Sequence, residues 1–221
     1  MKTQQKYIKI IALVLLIQTI IWVVLTYLSL SQVQTDWNNT DFLKWVANPD
    51  IAYLGNYINA TLITIVVVVL YVLIFHFLKP NYENLAFVGL LFIPIYGIFN
   101  IFSYSTQISV VPLLAKDVLN NPDSINLVVQ LIQANDKSLV GFINGLAYAI
   151  LGIPSIIYGI LLIKEMKKYS GIFLISDGML CIIGIVGHIM KSDFLAWGTL
   201  VGGIVFLMVL FFIFVEFKFE E

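Results

Sequence analysis

The chain contains no arginine; all 12 of its basic residues are lysines. Any anion it binds must be met by lysine ammonium groups or backbone amides, because the planar guanidinium fork is missing. A single cysteine, Cys181, excludes an intrachain disulfide. Charge is scarce: 11% of residues carry it, against about a quarter in soluble domains. With 60% hydrophobic residues and a mean hydropathy of +0.96, the chain cannot cover a globular surface with polar groups. The net charge of −1, without a basic domain, excludes nucleic acid as a partner. Also missing are a glycine-rich phosphate loop, G-x-S-x-G, H-E-x-x-H, and a lysine inside an apolar run that could form a Schiff base.

What remains is a succession of long apolar runs. A bilayer core of about 30 Å needs about 20 apolar residues in a helix. Runs of that kind occupy 8–30, 52–78, 85–104, 139–163, 170–190 and 194–215. The first is longer than the apolar region of a signal peptide and reads as a retained span. The expected fold is an all-α integral membrane protein, one bundle of six transmembrane helices over 1–221. The loop 105–138 is its extracytoplasmic cap. Within that loop, 110–119 and 125–132 are apolar-rich but too short to cross, and read as short amphipathic helices, with Asp123 or Ser124 as a cap. In the 31–51 segment Asp41 could cap a turn at 42–46, and Trp37 and Trp45 fit an interfacial aromatic belt. Asn38-Asn39-Thr40 matches a glycosylation acceptor, meaningful only in a eukaryotic host.

Lysine sets the orientation. An inside N-terminus puts Lys2, Lys6, Lys9, Lys79, Lys164, Lys167, Lys168 and Lys218 on the inner side, and Lys44, Lys116, Lys137 and Lys191 on the outer side. That bias places both termini in the cytoplasm of a multi-pass protein, read here as one of a prokaryotic plasma membrane.

The most expensive residue is Asp177, about 13 Å along a helix from Lys168. An ionisable group in a spanning helix is rare and usually functional. Asp177, Cys181, Gly184 and His188 share a stripe at i, i+4, i+7 and i+11. Similar stripes are Asn144, Tyr148, Ser155 and Tyr158; Gly89, Tyr96, Asn100 and Ser103; and Tyr53, Asn56, Thr64 and Tyr71. Four helices with one polar stripe each suggest a polar interior, although ordinary interhelical hydrogen bonding gives the same pattern. Asn56, Asn100, Asn144, Tyr148 and His188 fall in the outer thirds of their runs, and Ser155 and Tyr158 lie at the depth of Asp177. The expectation is an outward-facing cavity floored by Asp177. That carboxyl has three readings: a proton or cation site, a general base, or a protonated structural group.

His76 and His188 sit near opposite ends of their runs, roughly a bilayer apart, so they cannot share a metal. With one cysteine and no close carboxylate pair, no metal or cofactor is expected. Gly141-x-x-x-Gly145-x-x-x-Ala149 and Gly198-x-x-x-Gly202 are small-residue ridges, for packing within the bundle or for a partner membrane protein. The stretch 155–184, with its lysine-rich turn, resembles the corresponding part of six-span bacterial and archaeal membrane proteins. It carries no catalytic motif, so the resemblance implies no activity.

Three functions fit. The first is binding or transport of a small ligand or ion. The second is an intramembrane enzyme acting on a lipid, with Asp177 as acid or base and His188 assisting. The third is an accessory or immunity-type subunit without a ligand. The roughly 16 Å that separates Asp177 from His188 along one helix weakens the second.

Overall fold

The computed structural model describes residues 2–33, 37–120, 124–135 and 138–217. The side chains of Lys2, Thr3 and Asp193 are excepted. Asp36, Asp123, Lys137 and Lys218 therefore lie outside the described residues. Among these the secondary structure is helical throughout: α1 (Lys2–Leu30), α2 (Asn39–Ala47), α3 (Ile51–Ser109), α4 (Val111–Asn120), α5 (Ile125–Val129), α6 (Leu139–Lys164), α7 (Lys168–Met190), α8 (Asp193–Ala196) and α9 (Gly198–Glu216). Five segments are long and apolar enough to cross a bilayer: Gln4–Leu30, Ile51–Ser109, Leu139–Lys164, Lys168–Met190 and Phe194–Glu216. An apolar helix satisfies its backbone internally, the one requirement the hydrocarbon imposes on a single segment. The chain is a multi-pass membrane protein.

Several boundaries depart from the sequence reading. The runs at 52–78 and 85–104 are two helices that meet across a kink within one continuous helical stretch, Ile51–Ser109, with no loop between them. A single residue inside it, Tyr82, leaves helical geometry (φ −141°, ψ 40°). Pro80 contributes, since it withholds the amide that His76 O would accept. Pro94 and Pro154 are absorbed without a break. α3 runs on to Ser109, α5 stops at Val129, and the last run is divided by a turn at Trp197. Ser124 precedes α5 without a capping side-chain bond. α2 begins three residues earlier than expected, because Asn38, not Asp41, is its N-cap. The Asn38 side chain accepts from the Thr40 and Asp41 amides, and Asp41 accepts in return from the Asn38 amide. That capping box satisfies amides the first turn leaves free.

The chain forms two compact units. The first comprises Met1–Thr19, Ile65–Ile98 and Gly145–Glu221. Its closest helix approaches are made by glycine. A Cβ on Gly152 would lie 2.6 Å from Gly178 O, and one on Gly159 would lie 2.7 Å from Gly171 O. The two pairs keep the same spacing on α6 and α7, so two bare backbone patches meet in register. α9 packs on α7 by the same means: Gly184 faces Thr199, and Gly198 faces Leu180 O. Phe212 stacks on Phe173 at 5.0 Å with planes 8° apart. The first turn of α7 is capped from α9: the Glu216 carboxylate accepts from the Tyr169 and Ser170 amides and from Ser170 Oγ. Lys167 Nζ donates to Glu216 O at 2.6 Å.

The second unit comprises Ile20–Thr64 and Phe99–Asn144. Its core joins Leu43, Val46 and Ala47 of α2 to Val111, Ala115 and Val118 of α4, with Val128, Val129 and Ile132. Aromatic rings run through it: Trp37 to Trp45 (6.0 Å), Trp45 to Tyr53 (5.2 Å), Tyr53 to Tyr57 (4.8 Å) and Tyr57 to Tyr104 (6.2 Å).

Candidate functional site

The buried side of α7 consists of Ser170, Gly171, Leu174, Asp177, Gly178, Cys181, Gly184, Ile185 and Gly187. Six of these nine are glycine, serine or cysteine, so neighbouring backbones come close and a short carboxyl is enclosed. Asp177 is only 4% exposed. A carboxyl lining a water-filled cavity would retain far more surface. Asp177 is enclosed where α7 meets Ser155 of α6.

The polar contacts of Asp177 are specific. Ser155 Oγ lies 3.4 Å from Oδ2, and Cys181 Sγ lies 3.8 Å from Oδ1. Ser155 Oγ is also 2.6 Å from the Tyr71 hydroxyl and 2.9 Å from Leu151 O. Proton accounting constrains this cluster. Ser155 has one proton, and Leu151 O is its better-placed acceptor. The serine oxygen is then free to accept from Tyr71 and from a protonated Asp177. All three hydroxyl protons have acceptors in that state. Ionising Asp177 would require Ser155 to turn its proton toward the carboxylate and away from Leu151 O. One proton thus sets the orientation of the hydroxyl network, and burying an uncompensated carboxylate there would be costly.

The remaining sequence-predicted residues fall in two places. Tyr158 is beside the cluster: its ring lies 5.8 Å from that of Tyr71, and its hydroxyl donates to Ala86 O at 3.1 Å. It rests on Gly89, where a Cβ would come within 2.6 Å of its ring, so only glycine fits. Tyr148 packs against Tyr96 at 5.9 Å. His188, in the last turn of α7, is exposed rather than part of the buried stripe, with the bare Gly145 near its ring. It lies 11 residues beyond Asp177, at the exposed end of α7.

Asn56, Asn100 and Asn144 belong to the second unit and form neutral networks there. Thr26 Oγ1 donates to Asn56 Oδ1 at 2.9 Å. Asn144 Nδ2 donates to Asn100 Oδ1 at 2.8 Å, and Gln133 Nε2 donates to Asn144 Oδ1 at 3.2 Å. Gln107, which the sequence reading overlooked, ties this together. Its Nε2 donates to Leu131 O, while its Oε1 accepts from the Gln133 amide and the Tyr53 hydroxyl. The available signal was a glutamine one turn beyond Ser103 on an already polar stripe. Asn100 Nδ2 and Gln133 Oε1 are buried at the two ends of the amide chain without a hydrogen-bond partner.

The small-residue ridges serve internal packing where their contacts are described. Gly198 and Gly202 face α7, and Gly141 faces Gln133 and Ser138. Among the described residues, no three His, Cys, Asp or Glu side chains converge to hold a metal ion. Compared with known proteins, the chain matches no family model, no curated protein and no solved structure.

Proposed function

We propose that this is a six-span protein of the transport type, in which Asp177 takes up a proton or a small cation in an occluded site. The observation that carries the reading is the Asp177 carboxyl, 4% exposed and hydrogen-bonded through Ser155 to Tyr71 inside otherwise apolar helices. Oxygen atoms are the ligands that hard cations prefer, and a carboxyl among hydroxyls also suits a proton. The site lies within the first unit, and opening the α6–α7 junction is the step that gives it access.

Six crossings are supported by the two parts of α3 that meet at Tyr82: residues 51–81 and 83–109 have contours of roughly 46 and 40 Å, each longer than one bilayer core. The lysines near Tyr82 and between α6 and α7 support cytoplasmic termini.

The test is flux in proteoliposomes holding the purified full chain. A proton, sodium or potassium gradient is expected to drive flux above protein-free vesicles. Asp177→Asn, nearly isosteric, is expected to abolish that flux while leaving thermal unfolding within a few degrees. Absence of flux for all three ions, or flux that Asp177→Asn leaves intact, would overturn the proposal.

A further inference from the structure

Between the end of α1 and α2 lies an open pocket of about 350 Å³, lined by Gln32, Trp37, Asp41, Lys44 and Trp45. Its aromatic walls are Trp37 and Trp45, 6.0 Å apart with planes inclined at 63°. Trp45 is held in place from behind by Tyr53, edge-on at 5.2 Å and fully buried. Asp41 is fixed as well, since one carboxylate oxygen accepts from the Asn38 amide in the capping box. Its other oxygen faces Lys44 Nζ at 3.8 Å. That ion pair is loose: the lysine side chain is 65% and the aspartate 35% exposed. Gln32 gives its Nε2 to Asp50, which leaves its carbonyl oxygen as an acceptor.

We infer that this pocket binds the zwitterionic headgroup of a phospholipid, an ammonium joined to a phosphate. A fixed anion beside a mobile cation is complementary to a ligand bearing the opposite pair. The ligand ammonium sits against Asp41 and the indole faces, which attract cations. The phosphate takes Lys44, the cation that lines the pocket. A ligand with one charge would meet a like charge at one end of the Asp41–Lys44 pair.

Position selects a lipid over a free solute. The apolar run of α1 ends at Leu30 and that of α3 begins at Ile51, so the segment between them lies at the boundary where headgroups reside. Apolar side chains at the ends of the flanking helices are bare, with Tyr27 in the last turn of α1 73% exposed and Ile51 at the start of α3 89% exposed, and they give acyl chains a surface to lie on. This site is independent of Asp177.

The experiment titrates tryptophan fluorescence of the full chain, in an uncharged polyoxyethylene detergent, with short-chain phosphatidylethanolamine. Short-chain phosphatidylglycerol and free phosphoethanolamine are run in parallel. A saturable change is expected with the ethanolamine lipid, at about tenfold lower concentration than with either comparison ligand. Lys44→Gln and Trp37→Leu alter exposed or half-buried side chains outside the core, and each is expected to raise half-saturation about tenfold; Trp45 remains as reporter. An unchanged melting temperature for both variants shows that the fold is retained. Equal binding of the glycerol lipid would reduce the site to an anion patch and overturn the inference. Equal binding of phosphoethanolamine would overturn the lipid assignment. Absence of saturation, or saturation indifferent to both substitutions, would overturn the site itself.

Discussion

The two units bury polar groups under opposite rules. In the first, one ionisable carboxyl is enclosed by helices that meet through glycine, and its partners are hydroxyls and a thiol. In the second, the buried polar groups are neutral amides and phenols supported by a ladder of aromatic rings. Glycine contacts fix backbone against backbone and leave side chains little room around Asp177. Amide networks distribute hydrogen bonds over several residues, so no single titration reorganises them.

The contrast breaks most sharply at the glycine contacts. In Gly178→Val a Cβ would approach the backbone oxygen Gly152 O to 2.5 Å and Ser155 Cβ to 2.9 Å, neither of them the end of a flexible side chain. The expected loss is about 3 kcal/mol or more, seen as failure to recover a monodisperse protein. Gly203→Val is the control, because nothing lies within 4 Å of its Cβ position. Equal behaviour of the two would end the argument that glycine sets the α6–α7 distance.

A smaller effect is expected in the second unit. Asn144→Leu strands Asn100 Oδ1 and Gln133 Nε2, at a cost of about 1–3 kcal/mol. Hydrogen exchange should accelerate within residues 99–144 while 168–190 keeps its protection; uniform acceleration would show that the units do not act separately. The Tyr71–Ser155 contact offers a finer probe. A double-mutant cycle of Tyr71→Phe and Ser155→Ala should give a coupling of about 1 kcal/mol. No coupling would mean that the 2.6 Å contact contributes only through packing.

The smallest effect concerns Asp50, the N-cap of α3. The Tyr53 amide, and then the Gln32 side chain, hold its carboxyl below the usual aspartate range. A depressed pKa stabilises above the unfolded value, about 3.9, and that contribution disappears as pH falls through the folded one. Asp50→Ala should cost about 1 kcal/mol at neutral pH. The difference from wild type should shrink in melts taken at progressively lower pH, and a constant difference would assign the cost to something other than the carboxylate.

Much of this was legible in the residues. Lengths and hydropathy identified the crossing segments, and the period of 3.6 put Tyr53, Asn56, Thr64 and Tyr71 on one buried face. Depth along the helices matched Ser155 to Asp177. The capping box at Asn38 was missed, because Asp41 satisfies the same local rule from three residues later. The register of Gly152 and Gly159 against Gly171 and Gly178 was missed as well, since each helix has several small residues and only a neighbour selects among them.

The sequence alone determined that the chain lives in a membrane, that it is helical, and that one aspartate is buried where charge is costly. Those follow from local chemistry: an apolar backbone segment must bond to itself, whatever surrounds it. Tertiary structure decided what surrounds Asp177. Helix rotation and the choice of neighbour sealed it between glycine faces with Ser155 and Tyr71, left His188 outside, and gave the asparagines to a separate network. Those choices depend on contacts among residues distant in the chain, which no periodicity within a single helix encodes.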